Sequence, residues 1–266
     1  MNLLQYCKNF RSQYGEDGII EKVFNIVKPK YKLFVETGAW DGEHLSNTYN
    51  LYKNHNWRGL YIEANKRKFK ILKNKFLFEG RIITKNIFVE SVGNNSLQNI
   101  LIENNFPHDF DLLSIDIDGN EYEVWENLKK FAPTLVIIEY NPTIPPYYEF
   151  IDRGGKSFMG SSCLALYNLG KKKGYELICT TEANCFFIKK EFFPIFNIKD
   201  NSPENLQNKE SLCFVALNHS GEIVFEKDIF KGNKIKFIVY HRIKKFIKHF
   251  LMRKKSFYFI GEKYNP

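Results

Sequence analysis

Leu33-Phe34-Val35-Glu36-Thr37-Gly38-Ala39-Trp40-Asp41-Gly42 decides the fold. Leu33, Phe34 and Val35 form a short apolar run of the kind buried in a parallel sheet, Gly38 breaks it with a turn, and Asp41 begins a polar stretch. A strand running into a glycine turn is the first unit of an open α/β sheet, whose ligands bind beyond the carboxyl ends of the strands. Outward from it, further strands are expected at Gly59 to Ile62, Arg81 to Phe88, Leu112 to Ile117, Leu135 to Glu139, Tyr175 to Cys179 and Cys185 to Ile188, with helices between. Upstream, Ser12 to Asp17 opens a helix that runs to about Val27 and is closed by Pro29. The fold class expected is therefore α/β: a doubly wound, mainly parallel seven-stranded sheet with helices on both faces.

The chain has 266 residues, 44% of them hydrophobic, enough for one sizeable core. We divide it into an amino-terminal helical cap (1–30), a main domain (31–220) and a basic carboxyl-terminal segment (221–266). Five scattered cysteines without paired spacing point to a reducing, cytoplasmic setting. The stretch MNLLQYCKNFRSQYGED has no apolar signal region, and no window approaches the ~18 apolar residues of a spanning helix. Much of the +9 net charge lies late in the chain: residues 231–255 carry ten Lys or Arg and no acid. There Val239, Tyr240, Ile243, Phe246, Ile247, Phe250 and Leu251 fall on one helical arc of about 140°, opposite Arg242, Lys245 and Lys248. Such a helix either docks on the protein or makes a peripheral contact with an anionic membrane. Nucleic acid is not an expected partner, since no base-reading motif is present.

The candidate chemistry sits at strand ends. Glu36 and Asp41 can accept from a ligand ammonium, and Gly38 lets the backbone come close. That pair of acceptors suits adenosylmethionine better than a dinucleotide, whose pyrophosphate needs a glycine-rich cradle missing here. Glu63, at the end of the second strand, can accept from ribose hydroxyls. Asp116-Ile117-Asp118-Gly119 ends the fourth strand in two acids. They lie on opposite faces if the strand continues, and together if it turns at Asp118-Gly119, where Asp118 is expected to cap the next helix. Glu139 and Asn141 end the fifth strand at the same edge, so Asp116, Asp118, Glu139 and Asn141 can hold Mg²⁺ or Mn²⁺. Otherwise Asp116, Asp118 or Glu139 serves as the catalytic base, with His44 and His108 as alternatives. The stretch Asn141 to Gly160 is placed to act as a substrate loop or lid.

In order along the chain, Ser12-Gln13-Tyr14-Gly15-Glu16-Asp17, the Glu36 to Gly42 turn, Tyr61-Ile62-Glu63 and Ile115-Asp116-Ile117-Asp118-Gly119 resemble the FkbM-type class I methyltransferases, over roughly residues 12 to 190. The resemblance implies a Rossmann-like class I methyltransferase fold and S-adenosyl-L-methionine as cofactor. It places Glu36, Gly38 and Asp41 in the cofactor's amino acid pocket, Glu63 at the ribose and Asp116 beside the sulfonium. It also implies O-methylation of a sugar or other small hydroxyl compound, nucleotide-linked or phosphorylated, of surface-glycan biosynthesis. Asp118 stands where many members have Glu, and the basic tail has no counterpart. Two other readings compete: a metal-dependent glycosyltransferase using Asp116-Ile117-Asp118 as a DxD, and a non-catalytic binding module on the same fold.

Overall fold

The computed structural model describes residues 1–153 and 160–208 in full, and the backbone of two short strands beyond them. The chain divides into two compact units, Met1–Glu210 and Ser211–Pro266. In the first, α1 (Glu16–Ile26) leads to β1 (Leu33–Thr37), α2 (Tyr49–His55) to β2 (Arg58–Ile62), and α3 (Lys66–Lys75) to β3 (Ile82–Lys85). Then follow α4 (Leu97–Glu103), β4 (Leu112–Ile115), α5 (Glu121–Asn127), β5 (Leu135–Glu139), α6 (Cys163–Lys172), β6 (Tyr175–Thr180), β7 (Asn184–Lys189) and α7 (Pro203–Leu206). The sheet order is β3-β2-β1-β4-β5-β7-β6. The ladders from β3 to β5 are parallel, and β7 runs antiparallel to both its neighbours. This is the seven-stranded, mainly parallel sheet expected.

Alternation along each strand builds two apolar layers. Val35, Leu60, Leu113 and Val136 face one layer with Leu101 of α4, Trp125 of α5 and Leu166 of α6. Phe34, Tyr61, Leu112 and Ile137 face the other with Ile20 of α1, Leu51 of α2 and Leu72 of α3. Helices thus cover both faces. Leu3, from a short 3-10 turn at Leu3–Tyr6, lies in the second layer, so the amino-terminal segment is part of the same compact unit.

Three element ends differ from expectation, each because a side chain captures backbone groups. α1 begins at Glu16 rather than near Ser12, because Asp17 Oδ2 accepts from the amides of Phe10, Arg11 and Ser12 and folds that stretch into a loop. β3 stops at Lys85 rather than Phe88; just beyond it the Asn86 amide donates to the carbonyls of Glu63 and Ala64. β4 stops at Ile115, where Glu121 Oε1 accepts from the amides of Ile117 and Gly119 and the chain turns with Asp118 at φ 61° and Gly119 at φ 135°. Asp118 does not cap α5; Asn120 holds that position without a side-chain bond. At the opposite edge Asp111, fully buried, accepts from the amides of Lys30 (2.5 Å), Tyr31 (2.9 Å) and Leu33 (3.1 Å) and clamps the entry to β1.

In the second unit β8 (Val215–Leu217) and β9 (Ile223–Phe225) pair antiparallel. The amphipathic helix expected over 239–251 lies outside the described residues. Among those residues no helix is long and apolar enough to cross a membrane.

Candidate functional site

The strand order reverses between β1 and β4, and at such a switch point an open sheet leaves a crevice at its carboxyl edge. The floor is made by Gly38 and Asp116. Gly38 has φ 76°, and a Cβ placed on it would stand 1.7 Å from the Asp116 carbonyl oxygen. The glycine expected to admit a ligand is thus required first by the neighbouring backbone. Its amide and that of Ala39 both donate to the Ile62 carbonyl, at 2.9 and 3.1 Å, tying the turn to β2.

Glu36 is buried beneath the turn that follows. It accepts from Ser46 Oγ (2.7 Å), Thr48 Oγ1 (2.5 Å) and the Asn47 amide (3.0 Å), so its carboxylate organises residues 46–48. Burial, aided by the charge of Asp116, lifts its pKa to about 7 against the pull of those hydrogen bonds. Asp41 lies higher on the rim, bound to the amides of Glu43 and His44 and to Lys75 Nζ at 2.8 Å. Partial burial opposes its charge, but those bonds outweigh it and hold the carboxyl below its ordinary value. Glu63 ends β2 and accepts from the amides of Trp40 (2.8 Å) and Asn65 (2.6 Å). The Trp40 indole above it meets the His44 ring edge-on at 4.2 Å, with Lys68 Nζ 4.4 Å from its centroid. His108 precedes β4, at the sheet edge away from Asp116.

Across the floor the turn at Asp118-Gly119 brings the two acids of the fourth strand together. Asp116, Asp118 and Glu139 each present an oxygen within 4.8 Å of the others. Glu121, buried, fixes this turn by accepting from the amides of Ile117 (3.1 Å) and Gly119 (2.8 Å). Asp116 reaches solvent through the mouth of the crevice, yet protein crowds it enough that desolvation, then Asp118, raises its pKa. It shares a hydrogen bond with Glu139. Glu139 is raised by burial first and by Asp116 second, so we assign the shared proton to Glu139. Asn141 is turned elsewhere: its Oδ1 accepts from the Thr143 amide (3.0 Å) and Oγ1 (2.6 Å).

Three contributors have no counterpart among the candidates read from sequence. Glu121 is one, and Lys68, whose charge is felt at Asp116, is another. Glu16 is the third: fully buried, it binds the Tyr14 amide (2.6 Å), Thr181 Oγ1 (2.7 Å) and Asn184 Nδ2 (3.1 Å), and its charge also reaches Asp116. Asn184 is the register partner of Glu139, so the amino-terminal loop is fastened to the rim. The stretch Ser12 to Asp17 was the available signal, but nothing local in it gives Glu16 partners on β7.

Residues 78–176, which hold β3 to α6 with Asp116, Asp118 and Glu139, match the methyltransferase FkbM domain. Over those residues the chain is similar to the FkbM-type methyltransferases. Its seven-stranded sheet with reversed β7 is the class I methyltransferase fold that the resemblance implied. The match favours a methyltransferase over the glycosyltransferase reading of Asp116-Ile117-Asp118, since that tripeptide lies inside the matched residues. Solved structures similar to this chain include the amino-terminal domain of EvdMO1 with SAH bound: 12% identity, 65% of this chain and 79% of that one, TM-score 0.42. A TehB-like SAM-dependent methyltransferase from Corynebacterium glutamicum has 14% identity over 66% of this chain and 88% of that one, TM-score 0.39. An S-adenosylmethionine-dependent methyltransferase from Clostridium acetobutylicum has 12% identity over 65% and 90%, TM-score 0.38. No curated protein matches the sequence.

Proposed function

We propose that this domain moves a methyl group from S-adenosyl-L-methionine to a hydroxyl oxygen of a sugar or similar small acceptor. One observation carries the reading: the crevice is a concentration of acid. Glu16, Glu36, Asp118, Glu121 and Glu139 all act on or feel Asp116, and Lys68 is the cation that offsets them. Such a site gains free energy from a cationic ligand. Adenosylmethionine is one, supplying an electrophilic methyl group on a positively charged sulfur.

In this reading Glu63 holds the ribose. Each of its oxygens spends one lone pair on a backbone amide and keeps another for a hydroxyl. Glu36 and Asp41 serve the amino acid end: Glu36 by organising residues 46–48, Asp41 by fixing the turn over Gly42. Asp116 and Glu139 do the proton work. As the acceptor oxygen forms its bond to the methyl carbon and the carbon–sulfur bond breaks, the hydroxyl proton passes to the ionised carboxylate of the pair. Sugars fit the loop after β5, where Tyr147 (65% exposed) and Tyr148 (44%) offer flat apolar faces. A surface-glycan precursor, nucleotide-linked or phosphorylated, remains the acceptor we favour on the family resemblance.

The spacing of Asp116, Asp118 and Glu139 favours a second role, holding Mg²⁺ or Mn²⁺ through oxygen. Asn141 would join only by giving up Thr143. A cytoplasmic setting fits Cys7, Cys163, Cys179 and Cys185, all free thiols. A thermal-shift screen tests the proposal. Adenosylmethionine should raise the melting temperature while NAD leaves it unchanged; the reverse pattern refutes it. Asp116→Asn should cut methyl transfer about 100-fold with little loss of adenosylmethionine affinity. Full activity in EDTA would leave the carboxylates as base alone.

A further inference from the structure

We infer that the outward face of α3, with the turn after it, docks on an anionic lipid surface. Lys66, Arg67, Lys68, Lys70, Lys73 and Lys75 all belong to this one helix, which has no acid. Two are occupied: Lys75 by Asp41 and Glu43, and Lys68 by the Trp40 ring. The other four, Lys66, Arg67, Lys70 and Lys73, are exposed and form no ion pair with any described residue. Leu72 and Phe76 anchor the opposite side of the helix in the core.

Charge alone would suit any polyanion. What selects a bilayer is the apolar matter standing among the cations: Ile71 is 53% exposed, Leu77 55% and Phe78 94%. Side chains this open are at home where basic groups meet lipid phosphates and an apolar flank enters the acyl boundary. A single-stranded nucleic acid would want aromatic platforms for its bases. Here one ring stands among two aliphatic chains. The helix starts three residues after Glu63, so docking would set the mouth of the crevice near the headgroups.

The tail's basic stretch could bind vesicles by itself, so the test must report from α3. Phe78→Trp in the full chain is mixed with vesicles of phosphatidylcholine, with or without phosphatidylglycerol, carrying brominated acyl chains. Relative to the unsubstituted protein, the added indole emission should be quenched by the anionic vesicles and unaffected by the neutral ones. Reversing Lys66, Arg67, Lys70 and Lys73 to Glu should lower partitioning into anionic vesicles at least tenfold, with the circular dichroism unchanged. Sedimentation with vesicles without quenching at position 78 would assign binding to the tail and overturn the inference. So would unchanged partitioning of the reversed variant, or a loss confined to oligonucleotide binding.

Discussion

Glu36 makes the acid crevice measurable. Its folded pKa is raised, so the unfolded chain releases that proton more readily and stability falls as pH rises from about 4.5 to about 7. Below that window the contribution is fully present; above it, lost. Each pH unit of displacement is worth about 1.4 kcal/mol, so 4.5 to about 7 corresponds to about 3 kcal/mol. Glu36 is only 5% exposed, so solvent screening takes little from this figure. Glu36→Gln keeps the shape and an acceptor for the Asn47 amide, and the hydroxyls of Ser46 and Thr48 can rotate to suit an amide. Urea denaturation of both proteins at pH 5 and pH 8 isolates the residue, because every other titrating group is common to the pair. The wild type should lose about 2 to 3 kcal/mol more than the Gln variant between the two pH values, because at pH 5 part of the unfolded chain's Glu36 is already ionised. Parallel losses would refute the argument.

Gly38→Ala should cost at least about 3 kcal/mol, since its Cβ would overlap the Asp116 carbonyl at a φ that side chains rarely adopt. A wild-type urea midpoint would show that the floor yields to a Cβ and refute the clash. Asp111→Ala leaves three backbone amides without their acceptor, at about 1 to 3 kcal/mol each, whereas Asp111→Asn keeps one oxygen and should lose less. Equal losses in the two variants, read by thermal unfolding, would mean that charge rather than acceptor geometry matters at that position.

The sheet could be read from sequence because its strands are short apolar runs set off by turns, and such runs have few other uses in a chain this size. Glu36, Gly38, Glu63, Asp116 and Glu139 were legible for the same reason, lying where those runs end. Their partners were not. Asp41 meets Lys75 from 34 residues away. The end of β4 depends on Glu121, a helix residue that reaches back for the Ile117 and Gly119 amides. The glycine at 38 was readable as a turn, but its reason is a carbonyl on another strand. These are tertiary facts, and strand periodicity carries no trace of them.

The bond from Glu16 to Thr181 and Asn184 closes 165 and 168 residues of chain. On a ribosome working at about 5 to 20 residues per second, the stretch before α1 would wait on the order of ten to thirty seconds for its partners to emerge. Until then a carboxylate destined for full burial has only solvent and the Tyr14 amide to satisfy it. The rim of the crevice is therefore among the later parts of the first unit to be finished during synthesis, and a nascent chain halted before β7 would hold most of the sheet without a completed site.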